Sequence, residues 1–206
     1  MRLSDAHAKL LALKLPALTT ADAAGCLRIP PGHASKLLER LADSGHLTRL
    51  RRGVWAMGSD VQMLALPQHL VAPFPCYVSL QSALYYHGMT SQIPSATYAV
   101  SLARTQRYST PLGDVSIHHI APTFFFGFQR VGEQGAQLAL PEKALLDVLY
   151  LGPAKTRLFA ALPELERPRS FSVRRARAMA NRIPSMQRRT LVLERLERIL
   201  RIQGWK

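Results

Sequence analysis

The chain has 206 residues, 48% of them apolar, enough for one large or two small domains with a packed core. Lys and Arg number 27 against 13 Asp and Glu, a formal charge of +14 that points to a polyanionic partner: nucleic acid first, an acidic protein or anionic membrane after it. No apolar run approaches the roughly 20 residues of a membrane span, and the first residues lack the apolar stretch of a signal peptide.

Cys26 and Cys76 stand far apart in apolar settings with no C-x-x-C partner, so both are expected as small buried thiols in a cytoplasmic protein, outside any disulfide or metal site. The charge is uneven. Residues 1–60 carry nine basic against five acidic side chains, residues 61–152 four against four, and residues 153–206 fourteen against four. Two basic ends flank a neutral middle, and each end needs its own explanation.

In chain order, a first helix is predicted over 4–13, with Ser4 and Asp5 as caps, Ala6, Leu10, Leu11 and Leu13 as its apolar face, and Pro16 as its stop. A short helix over 21–24 follows, capped by Thr19 or Thr20 and closed by Gly25. Pro30 and Pro31 suit the start of a third helix, over 31–44. There Ala34, Leu37, Leu38 and Leu41 share one face, and His33, Lys36, Glu39 and Arg40 the other. Gly45 supplies a left-handed cap. Residues 46–50 read as a strand, Arg51-Arg52-Gly53 as a tight turn and 54–57 as the return strand. Three helices and a hairpin in this order predict a winged helix-turn-helix over 1–58.

A connector over 59–75, with one helical turn in it, leads to a second domain over 76–206. Its predicted elements are a helix over 80–87 capped by Ser79, a strand over 97–102, a polar turn-like stretch over 104–112, strands over 115–120 and 124–131, and a helix over 142–151 opened by Pro141. Helices over 155–162, 173–181 and 185–203 complete it. The fold class expected is α+β: the winged helix-turn-helix, then a mixed α/β domain with a small sheet and C-terminal helices.

In such an N-terminal unit the start of the third helix enters the major groove. Gly32, His33, Ser35 and Lys36 are then nearest the bases, with Arg40 further along. Arg49, Arg51 and Arg52 grip phosphates or the adjacent minor groove. The plainer alternative is a winged helix used for protein contact, its charged face merely solvated.

In the C-terminal segment Met186, Leu193, Leu196, Ile199 and Leu200 recur at helical spacing, among Arg188, Arg189, Arg195, Arg198 and Arg201. Glu194 with Arg198 and Glu197 with Arg201 are i,i+4 pairs in the favourable order. Arg174, Arg175, Arg177 and Arg182 have no acidic neighbours in sequence. These arginines read as a platform for an acidic protein or nucleic acid, or as a solvated helical surface.

Catalytic signatures are missing: there is no phosphate loop, dinucleotide fingerprint, zinc-finger spacing or nucleophile elbow. His118 and His119 on one strand point to opposite faces and cannot share a metal. Glu142 fits a helix N-terminus as a dipole partner, and Asp147 is placed to pair with Lys143 or to accept a buried hydrogen bond. No cofactor and no catalysis are expected.

The segment Tyr77-Val-Ser-Leu-Gln-Ser-Ala-Leu-Tyr-Tyr-His-Gly-Met-Thr90, the following Gln92-Ile-Pro94 and Leu140-Pro-Glu-Lys-Ala-Leu-Leu-Asp147 resemble the C-terminal domain of AbiEi-type antitoxins. Leu50-Arg-Arg-Gly-Val-Trp55 is similar to the wing that precedes that domain in the family. These are the antitoxins of the bacterial abortive-infection AbiE, or type IV, toxin–antitoxin systems. The resemblance implies a winged helix that binds inverted repeats in its own promoter and represses it, as a monomer in solution that assembles cooperatively on DNA. It also implies a C-terminal domain that neutralises a nucleotidyltransferase-type toxin; that chemistry belongs to the toxin. Two rivals stand beside this reading. One is a DNA-tethered nuclease or nucleotide-modifying enzyme, for which the middle of the chain offers only Asp114, Glu142 and Asp147 as carboxylates. The other is an RNA-binding module using the arginine-rich tail.

Overall fold

The computed structural model describes residues 2–58, 60–152 and 165–205. It is an α+β protein with eight α-helices and nine strands among these residues. The helix expected over 155–162 lies outside the described residues.

The N-terminal unit is α1 (Leu3–Leu11), β1 (Ala17–Thr19), α2 (Thr20–Leu27), α3 (Pro31–Asp43), β2 (Leu47–Arg51) and β3 (Val54–Met57). Its three strands are antiparallel in the order β1-β3-β2. β1 escapes sequence reading because three residues are too few to show a period.

Helix α2 is longer than expected. Gly25 lies inside it, and the chain leaves the helix through Arg28 in a left-handed conformation. Its start is a capping box: Thr19 Oγ1 accepts from Asp22 N at 3.1 Å, and Asp22 Oδ2 accepts from Thr19 N at 2.7 Å. Thr19→Ala should therefore cost about 1 kcal/mol of stability in urea denaturation. An unchanged midpoint would show the box to be idle.

Helix α3 ends as predicted. Gly45, at φ +74°, donates to Ala42 O, and His46 donates to Leu41 O, the paired bonds of a Schellman cap. Ala6, Leu10, Leu18, Leu38, Leu41 and Trp55 fill the core between the three helices and the small sheet. The Trp55 indole donates to Thr20 Oγ1 at 3.1 Å, so this large ring is buried with its one polar atom satisfied.

The connector is packed rather than open. A 3-10 turn over Met63–Ala65 runs into α4 (Leu66–Leu70), and Ala65, Leu66, Leu70 and Val71 are buried. Leu66, Leu70 and Val71 join Ala17, Leu50, Val54 and Ala56 of the small sheet to Cys76, Ala99, Val115 and Ile117 of the larger one in a single apolar cluster. The side chain of Gln134 fastens the connector from outside: its amide donates to Asp60 O at 2.7 Å and accepts from Gln62 N at 2.9 Å.

The larger sheet has six strands in the order β6-β7-β5-β4-β9-β8. They are β4 (Cys76–Val78), β5 (Thr97–Ser101), β6 (Gln106–Thr110), β7 (Gly113–His119), β8 (Phe128–Val131) and β9 (Ala136–Ala139). β4 with β9 and β5 with β7 are parallel; the other neighbours are antiparallel. Three expectations change here. Residues 106–110 form an edge strand rather than a turn; being polar and largely exposed, they carry no apolar alternation to reveal it. Phe124–Phe126 is not strand, because Pro122 opens a 3-10 turn that ends at Phe124. β4 and β9 are short and fully or mostly buried, so they lack the alternation of a half-exposed strand.

Helices α5 (Leu80–Tyr86), α6 (Pro141–Leu151), α7 (Val173–Ala180) and α8 (Met186–Ile202) pack over one face of this sheet. Every residue of α6 from Pro141 to Tyr150 is buried. No helix among the described residues is long and apolar enough to cross a membrane.

The cysteines are both free thiols. Cys76 is buried, which pushes its thiol up to about 12, while Cys26 is half-buried beside Lys9 O. Burial lowers the imidazoles of His7, His69 and His118 below their ordinary value, and the His46 ring, 4.5 Å from that of His7, lowers His7 further. Just below the ordinary imidazole value the unfolded chain therefore binds protons that the folded protein has released, and stability rises with pH across that window. The Tm should be higher at about pH 7.5 than at about pH 5.5. A Tm that falls over this interval would contradict the sign.

Candidate nucleic-acid interface

Helix α3 turns its apolar stripe inward and leaves Gly32, His33, Lys36 and Arg40 exposed, with Ser35 half-buried. Lys36 and Arg40, one turn apart, share a face. No side chain caps the start of the helix, and Pro31 occupies its first position. The turn between α2 and α3 is only three residues, Arg28 to Pro30.

In the β2–β3 hairpin, Gly53 at φ +77° makes the reversal that a side chain would resist. Arg49 is exposed and its guanidinium lies 5.5 Å from the centre of the Trp55 ring, its cross-strand neighbour. Arg52 is exposed at the tip.

Arg51 differs from its neighbours. It is half-buried; its Nε donates to Leu70 O at 3.1 Å, and its guanidinium lies 5.8 Å from the centre of the Tyr108 ring on β6. It is directed back onto the connector and the larger sheet. The pairing register shifts between Arg49 and Arg51, the kind of irregularity that re-aims a side chain.

The C-terminal arginines divide into engaged and open groups. Arg177 on the neighbouring helix makes a two-pronged pair with Glu197 at 2.7 and 2.9 Å, and among the described residues neither Glu194–Arg198 nor Glu197–Arg201 closes to ion-pair distance. Arg175 Nε lies 3.2 Å from Glu142 Oε1 and its Nη2 donates to Ser170 O. Arg182 stacks 3.5 Å over Phe126, and Arg188 lies 4.7 Å from the centre of Tyr150. Arg189 donates to Asn181 O at the outer limit of a hydrogen bond, 3.5 Å. Arg174 and Arg198 are exposed and Arg195 is half-buried, none with a carboxylate partner among the described residues.

Under this surface lies a closed polar network that sequence reading saw only in part. Lys143 and Asp147, one turn apart on α6, form an ion pair with both side chains fully buried. Asp147 Oδ2 also accepts from Ser79 Oγ at 2.7 Å and Tyr77 OH at 3.0 Å, while Lys143 Nζ donates to Tyr77 OH at 2.8 Å. The ammonium sits 4.0 Å from the centre of the Phe124 ring. Burial raises the Asp147 carboxyl and lowers the Lys143 amine, and each partner opposes the shift of the other. Glu142, the other buried acid of α6, accepts from Ser172 N at 2.6 Å and so ties α6 to the start of α7. The Lys143–Asp147 spacing is visible in sequence; Tyr77 and Ser79 arrive from some seventy residues away and are not.

Asp114, Glu142 and Asp147 stand in separate surroundings. Asp147 is enclosed by its network, Glu142 is buried against α7, and Asp114 is at the surface, paired with Arg107. Among the described residues no group of three or more His, Cys, Asp and Glu could hold a metal ion. His118 is buried against Tyr98 while His119 is exposed, so the two imidazoles face opposite ways. No family model matches the chain, and no curated protein matches it.

Proposed function

We propose that residues 3–57 are a winged helix-turn-helix that binds double-stranded DNA, and that the protein is an autorepressor and antitoxin of the AbiEi type. The observation that carries the DNA reading is the exposed row His33, Lys36 and Arg40 on α3, in the same small unit as a hairpin presenting Arg49 and Arg52. Lys36 and Arg40 read base edges in the major groove, and Arg49 and Arg52 hold the flanking backbone. The uncapped start of α3 adds the positive end of a helix dipole where a phosphate approaches.

The antitoxin half of the proposal rests on the resemblance of residues 77–94 and 140–147. Its partner is a nucleotidyltransferase-type toxin, met by the α7–α8 side where Arg174, Arg195 and Arg198 stay uncommitted. A gel shift with the chain's own upstream DNA tests the first half. Co-expression with the neighbouring open reading frame tests the second: rescue of growth by the full chain supports it, and unrelieved toxicity overturns it.

A further inference from the structure

Where the N-terminal unit meets the larger sheet there is a cavity of about 470 Å³. It is lined by Arg51, Leu70, Phe74, Arg104, Gln106 and Tyr108, among others, and among the described residues no acidic side chain lines it. Its size falls in the range of about 300–1,000 Å³ usual for small-molecule sites.

The chemistry of the lining is lopsided. A guanidinium has five N–H donors. In Arg51 one bonds to Leu70 O and one to Arg52 O at 3.4 Å, which leaves three. Arg104 is exposed and has no carboxylate partner among the described residues. Two cations without a counter-charge therefore face one cavity, and an anion with several acceptor oxygens completes them. Beside them Phe74 is 51% exposed, a large ring with an open face. Gln106 accepts from Tyr108 OH at 3.2 Å through its carbonyl, which orients its amide NH2 as a donor.

We propose that this cavity binds a small phosphorylated molecule carrying a planar ring, of the size of a nucleoside monophosphate. Arg51 and Arg104 hold the phosphate, Phe74 stacks on the ring, and Gln106 donates to its edge. The site lies between the β2–β3 hairpin and edge strand β6, and it uses none of the residues proposed to hold DNA or to meet a toxin.

The test is calorimetric titration of the full chain with AMP, without DNA, so its outcome is independent of the DNA reading. Saturable one-to-one binding with Kd below about 1 mM is expected, with adenosine and inorganic phosphate each weaker by about tenfold or more. Arg104→Ala and Phe74→Ala alter exposed or half-exposed side chains and should each weaken AMP by about tenfold with an unchanged melting curve. Lys9→Ala, which removes an exposed charge on α1, should leave binding as it was. No saturation by about 10 mM AMP, or an equal loss in Lys9→Ala, would overturn the proposal. Phosphate binding as tightly as AMP would overturn the ring site.

Discussion

Lys143→Met should destabilise the protein by about 3–5 kcal/mol in urea denaturation, because it leaves the Asp147 carboxylate buried without its cation. That is a large fraction of the roughly 5–15 kcal/mol that holds a domain folded. The double change Lys143→Met with Asp147→Leu removes both charges and should recover part of the loss, since an apolar pair of similar volume often serves as well as a buried ion pair, while the Tyr77 and Ser79 hydroxyls lose their charged partners. Tyr77→Phe should fall between them, costing about 1–3 kcal/mol, because its hydroxyl both donates to Asp147 and accepts from Lys143. A Lys143→Met protein as stable as the parent would show that the network is not what holds α6 against β4.

Lys36→Ala and Arg40→Ala should each weaken binding to the chain's own upstream DNA by about 1–3 kcal/mol while changing affinity for unrelated duplex little. Arg52→Ala should act differently: it lowers affinity for every duplex and reduces the slope of log K against log salt by about one. Arg51 carries a different expectation from Arg52 despite adjacency. Its guanidinium is turned toward Leu70 O and the Tyr108 ring, away from the exposed hairpin tip, so Arg51→Ala should leave the salt slope closer to that of the parent. Competition titrations at several salt concentrations separate these effects. Equal losses on all duplexes for Lys36→Ala and Arg52→Ala would sink the division between base-reading and backbone-holding residues.

Much of the N-terminal unit was legible because its signals are local. Pro31 starts α3, the spacing of Ala34, Leu37, Leu38 and Leu41 sets its buried face, and Gly45 and Gly53 mark a cap and a turn. The larger sheet was less legible. Its strands β5 and β7 are legible near their observed bounds, but β4 and β9 are short and mostly buried and the edge strand β6 is polar and largely exposed, so none of these three shows a period of two. The split of the arginines was hidden for another reason. Arg175 finds Glu142 and Arg177 finds Glu197 across helix–helix contacts, whereas sequence offers only neighbours three or four residues away. The same limit kept Tyr77 and Ser79 apart from Lys143 and Asp147, and left the cavity beside Arg104 unseen.

The most direct test of the central claim is a titration of the purified chain against its own upstream DNA and a scrambled duplex of equal length, at low and at near-physiological salt. The DNA-binding reading predicts that both duplexes bind at low salt and that only the upstream sequence survives the increase, because base contacts outlast the loss of counterion release. Equal binding that collapses on both duplexes would contradict it, and would reduce the basic N-terminal surface to a generic attraction for polyanions.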